Sequence, residues 1–165
     1  MASSVTKGLA FGAALFGGLQ AGVTANRAFV LLPARERLGA ISWATFTRAE
    51  NVGVGALFYP VLGLAALLFT VSAAIAFPLD HTAHGLRRFP AHAAALLAIV
   101  WATVTRALIL PAMFALRDVG TDSARLQQIF LTVSRWSSVN DILHILTFAL
   151  NLWVFAVVFS GPKAN

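Results

Sequence analysis

Four apolar runs, each long enough to cross a bilayer as a helix, constrain this chain more than any other feature. They cover about residues 9–32, 52–77, 92–116 and 136–159. A hydrocarbon core about 30 Å thick needs roughly 20 apolar residues in helical form. In lipid every backbone N–H and C=O must be satisfied within the structure, so such runs read as helices and not as open strands. The charge content agrees: 11% of residues are charged, against about 25% in soluble domains, and the mean hydropathy is +0.81. The expected fold is an all-α membrane protein, a single four-transmembrane-helix bundle over residues 1–165, multi-pass and integral to the bilayer.

The connections add detail. Residues 33–51 are mixed in character and predict a short interfacial helix between the first two spans, with Trp43 and Phe46 at the lipid interface and the arginines on head groups. Val23-Thr24-Ala25 after Lys7 resembles a signal-peptidase site, but the run continues to Leu32 and further spans come after it, so a retained first helix is expected. Gly12, Gly17, Gly18 and Gly22 give that helix a smooth face for close packing. Pro60 and Pro111 predict kinks in the second and third spans. From Ser123 the third connection repeats Leu126, Ile129, Phe130 and Val133 at helical spacing. Four spans place both termini on one side. Arg35, Arg37, Arg48, Arg117, Arg125 and Arg135 outweigh Lys7, Arg87, Arg88 and Lys163, so the side opposite the termini is expected to be cytoplasmic.

The polar residues inside the spans carry the functional signal. In the fourth span Ser137, Asn140, Asp141, His144, Thr147, Phe148 and Asn151 share one helical stripe. An aspartate and a histidine one turn apart in an apolar helix are costly without partners. Arg106 lies ten residues before Leu116, roughly 15 Å inside by helical rise. His144 lies eight residues after Trp136, about 12 Å in from the same side. Gln20, Thr24 and Arg27 from the first span, with Glu50 and Asn51 at the entrance of the second, belong to that same half of the bundle.

Each of these residues admits two readings. Arg106 is either an anchor for an anion or carbonyl, or a buried partner of Asp141 or Glu50. His144 with Asp141 is either a base and its orienting carboxylate or an interhelical hydrogen bond. Asn140 and Asn151 suit packing between helices. Among the tryptophans, Trp136 is the one placed near a pocket. His81, His84 and His92 lack the carboxylate or thiolate company of a metal site, and no metal is expected there. The chain has no cysteine, which removes disulfides, thiolate metal sites and a thiol nucleophile. No serine triad, phosphate loop or nucleic-acid motif is present, and the formal net charge of +6 belongs to short loops that meet lipid head groups.

Leu108-Ile109-Leu110-Pro111-Ala112-Met113 and Arg135-Trp136-Ser137-Ser138-Val139-Asn140 carry a family likeness. With the glycine-rich first helix, they make the chain resemble the anthrone-oxygenase-like family, small four-helix membrane proteins mostly of unknown function. Leu110, Pro111 and Trp136 match the family pattern. The asparagine often found two residues after the proline is Met113 here, and the family's His and Arg fall at Asn140 and Leu143. The resemblance implies oxidation of polycyclic anthrones to quinones by dioxygen without an obvious cofactor. In this chain His144 and Arg106 are the residues able to supply those groups.

The sequence therefore predicts a site with His144 and Asp141 as catalytic groups, and with Arg106, Trp136, Asn140, Glu50, Asn51 and Arg27 around the substrate. The expected partners are the lipid bilayer and a hydrophobic small molecule, with no nucleic acid. A homo-oligomer is allowed, and no cofactor is specified. The competing reading is a non-catalytic membrane component in which the polar cluster holds the bundle together or docks a partner.

Overall fold

The computed structural model describes residues 2–50, 53, 55–79 and 88–160. It is an all-α bundle built on four helices long and apolar enough to cross a membrane. Helix α1 (Ser4–Asn26) passes through a π-bulge (Arg27–Leu31) into α2 (Leu32–Ala49). Helix α3 (Gly55–Leu79) is the second span. The third comprises α4 (Phe89–Val104), a second π-bulge (Thr105–Ile109) and α5 (Leu110–Ala115), and the fourth lies in α6 (Ser123–Phe159). Local chemistry sets the starts: Ser3 accepts a hydrogen bond from the Thr6 amide at the head of α1, and Asp122 accepts from Ala124 and Arg125 at the head of α6. Pro90 occupies the first turn of α4, where a missing N–H costs nothing.

The four long helices form a closed ring, with α1 on α3, α3 on α4, α4 on α6 and α6 back on α1. Small residues line the contacts: Ala10, Ala13, Ala66, Ala73, Ala94 and Ala98 are all buried. Large apolar residues such as Phe11, Leu19, Leu68, Ile99, Ile142 and Trp153 point outward. This inverts the usual soluble pattern, and it is the arrangement in which backbones approach closely and dispersion holds helices together. At mid-bundle the Asn151 amide nitrogen donates to Thr70 Oγ1 at 2.9 Å and to the Ala13 carbonyl at 3.4 Å, tying α6 to α3 and α1.

The glycine face of α1 is used in part. A methyl group at Gly12 would run into the Phe69 ring, and one at Gly18 would lie 3.1 Å from Phe148, whereas Gly22 faces open space. Gly12→Leu is therefore expected to cost about 1–3 kcal/mol by overpacking, and Gly22→Leu roughly 0.5 kcal/mol or less. Thermal unfolding of both variants in the same detergent measures the contrast, and equal losses would refute this account of the helix contact.

Helix α6 has 37 residues, roughly 55 Å of helix, so it extends well past a 30 Å apolar layer. Its first turns pack against the second half of α2. Trp43, Ala44, Leu116, Leu126, Phe130 and Val133 form one buried cluster there, with Trp43 edge-on to Phe130 at 5.1 Å between ring centroids. The helix expected within residues 33–51 is present as α2, while the places expected for Trp43 and Arg35 are corrected. Trp43 is only 2% exposed, and Arg35, expected on head groups, is buried against Glu50 at 2.5 Å, with its guanidinium 4.9 Å from the Phe46 ring centroid. The physical cause is Gly39, whose φ of 80° breaks α2 and turns its second half onto α6. Arg48 closes the same end, donating to the carbonyls of Leu116 at 2.8 Å and Gly120 at 2.7 Å, which otherwise lack helical partners.

Candidate functional site

Two prolines prepare the site. Pro33 and Pro111 lack an amide hydrogen, and their rings crowd the carbonyl four residues earlier. In both helices the preceding turn widens into a π-bulge whose first residue stands six positions before the proline: Arg27 before Pro33 and Thr105 before Pro111. The Leu32 amide bonds back to the Arg27 carbonyl, and the Leu110 amide to that of Thr105. Such bulges occur frequently at functional sites. Here both flank one cavity of about 590 Å³, to which Arg27, Leu31, Thr105, Arg106 and Ile109 all contribute.

Of the residues expected at the site, Arg27, Glu50, Arg106, Asn140, Asp141 and His144 all line this cavity. Gln20 and Thr24, placed in the same half of the bundle by depth, line it as well. Asn51 lies outside the described residues, as do His81 and His84. Trp136 is a correction: it is half-buried, carries the Arg135 guanidinium at 5.8 Å, and does not line the cavity. The tryptophans that do line the cavity are Trp43 and Trp101, and the Trp101 ring centroid lies 4.4 Å from that of His144. Trp101 and Thr105 are one turn apart on the face turned inward, while Thr103 points out and bonds its own helix at Ile99. Tyr59 and Arg35 also line the cavity, and nothing in their local sequence marks them for it.

The pairing differs from expectation. Asp141 does not orient His144; it is bound by Arg27, which also donates to the Ser137 carbonyl at 3.3 Å. Glu50 is held by Arg35 and by Tyr59, whose hydroxyl donates to Oε1 at 3.2 Å. Two arginines from the α1–α2 segment thus occupy both carboxylates. Arg106 forms no hydrogen bond or ion pair with a described residue and is exposed to the cavity.

His144 Nε2 receives the Asn140 amide nitrogen at 3.2 Å and faces that of Gln20 at 3.5 Å. With both amides donating, Nε2 is the acceptor in these contacts, an arrangement that requires the tautomer protonated at Nδ1. Asn140 also donates to Thr105 Oγ1 at 2.9 Å. Around this wall Gln20 Oε1, Ser137 Oγ, Asn140 Oδ1 and Trp101 Nε1 are buried and find no partner among the described residues. Each such orphan costs about 1–3 kcal/mol.

The cavity reaches the surface on one side. The second π-bulge and α5 pack chiefly on α6, while α3 packs on α4. Between these halves Phe58 and Leu64 of α3 and Phe114 of α5 line the cavity and remain half or more exposed. The mouth is therefore apolar and opens sideways between helices. Among the described residues no group of three or more His, Asp or Glu side chains is spaced to hold a metal ion.

Comparison of the chain with protein-family models, with curated proteins and with solved structures found no match.

Proposed function

We propose that this chain is a multi-pass integral membrane protein that takes a hydrophobic aromatic or quinone-like molecule from the bilayer into the cavity between its helices. One observation carries the reading: a cavity of about 590 Å³ touches both His144 and Arg106, which has no partner among the described residues. Apolar walls with a few convergent polar groups are the usual form of a small-molecule site. The outward-facing large apolar residues and the sideways mouth support entry from lipid. The arginine-rich end, with the α2 cap, faces the cytoplasm on this reading.

In this site Arg106 holds an oxygen of the guest, and His144 takes up a proton at Nε2. A guest hydroxyl displaces the Asn140 amide from that nitrogen, and Asn140 keeps its bond to Thr105. Asp141 acts only through Arg27, by holding the helix-one side of the wall. The chemistry that fits is oxidation of an electron-rich ring system, the class implied by the resemblance to anthrone-oxygenase-like proteins, with dioxygen as the oxidant. The second reading, a non-catalytic bundle component, draws on the Arg27–Asp141 pair and the Asn151 link, which tie α6 to other helices, and on the Arg35–Glu50 pair, which joins the two ends of α2.

Purification in mild detergent, then mass spectrometry of extracted small molecules, separates the two. A hydrophobic oxygen-bearing compound is expected with the wild type and is expected to be depleted at least roughly tenfold in Arg106→Ala and His144→Ala. Equal small-molecule content in all three proteins, at matched folding and yield, would leave the structural reading standing.

A further inference from the structure

The charges around the cavity do not balance. Among the described residues its lining contains the guanidiniums of Arg27, Arg35, Arg106 and Arg117 but only the carboxylates of Glu50 and Asp141. Both carboxylates are already engaged, by Arg35 and Arg27. Arg117 stacks on Phe114 at the rim, 5.0 Å from the ring centroid, and pairs with no carboxylate among the described residues. Arg106 has no partner at all among the described residues. Arg106 lies within an apolar helix and is exposed to the cavity, where a counter-charge stabilises it. Its planar fork matches a carboxylate, phosphate or enolate oxygen.

We infer that the guest is an anionic amphiphile, an apolar body bearing one oxyanion that docks on Arg106. This rests on the cavity being a binding site for a hydrophobic molecule, and it specifies the guest's charge. The apolar body lies toward Phe58, Leu64 and Phe114, and the oxyanion sits on the second π-bulge. Arg117 at the rim adds attraction on the way in. Two sources share this chemistry, a free lipophilic acid and an anionic membrane lipid.

The test uses the full chain in phosphatidylcholine nanodiscs, with isothermal titration against empty discs. The probes are 2-hydroxy-1,4-naphthoquinone, an enolate anion at neutral pH, and its neutral 2-methoxy counterpart. The enolate is expected to bind at least about tenfold more tightly, by the strength of a charge-assisted hydrogen bond. That preference is expected to vanish in Arg106→Gln and to survive in part in Arg106→Lys. Equal affinities in the wild type, or a preference that persists in Arg106→Gln, would overturn the anion inference while leaving the cavity reading intact. Binding of neither probe would overturn both. Replacing half the lipid with phosphatidylglycerol separates the sources. Loss of enolate binding in the wild type assigns the site to an anionic lipid, and unchanged binding assigns it to a free acid. Because Arg106 has no partner among the described residues, its variants are expected to fold, and size-exclusion profiles in the same detergent check this.

Discussion

Trp43→Ala is expected to destabilise the protein by about 3–5 kcal/mol, the range for deleting a buried large aromatic side chain. Trp43 is among the largest fully buried side chains, packed edge-on to Phe130 within the cluster that joins α2 to the extension of α6. Its loss leaves a cavity that Ala44 and Leu126 are too constrained to fill, since both are fully buried themselves. The effect is expected to spread to the site. The same helix carries Thr47 and leads to Glu50, which pairs with Arg35 at the cavity. Chemical denaturation in detergent, monitored by tryptophan-independent circular dichroism, measures the loss. A change under about 1 kcal/mol would mean that Trp43 sits in a soft, lipid-like environment, as a residue at the bilayer interface would.

The second large effect concerns the Arg27–Asp141 pair. Removing one member of a buried pair strands the other charge, at a cost of about 3–5 kcal/mol when the survivor is fully buried. The two members are not equally buried: the Asp141 side chain is 6% exposed and that of Arg27 is 29% exposed. Arg27→Ala, which strands the more buried carboxylate, is therefore expected to approach the full cost. Asp141→Ala strands a guanidinium that lines the cavity, and is expected to cost only about 1–3 kcal/mol. The double variant Arg27→Met/Asp141→Leu removes both charges and fills similar volume, and is expected to return close to wild-type stability. A double-mutant cycle in unfolding free energy tests all three together. If the double variant loses as much as the sum of the singles, the pair contributes nothing as a pair, and its role is packing alone.

Much of the site can be read from residue types and depth. Helical rise alone places Arg106, Asp141 and His144 at similar levels, with Arg27 and Glu50 near them, and all five line one cavity. Pairing cannot be read that way, because depth along an axis says nothing of rotation about it. By depth Arg106 is a natural partner of Asp141, yet the bulge at Thr105 adds a residue to its turn and changes the azimuth of the residues beyond it. Arg27, behind its own bulge, reaches Asp141 instead. The same limit explains the tryptophans. Trp136 opens an apolar run and reads as a landmark, but α6 begins thirteen residues earlier, at Ser123, so Trp136 lies mid-helix and half-buried. Trp101 carries no local sign of facing His144.

The sequence by itself determined the helical class, the four apolar spans and the half of the bundle in which the polar residues gather. Those properties arise from local composition and from the need of each backbone group for a partner within its own segment. The tertiary structure decided which arginine meets which carboxylate, that Arg106 meets none among the described residues, and which tryptophans wall the cavity. These depend on the rotation of each helix against its neighbours, set by contacts such as Gly12 on Phe69, by the Gly39 break and by the turns widened ahead of Pro33 and Pro111.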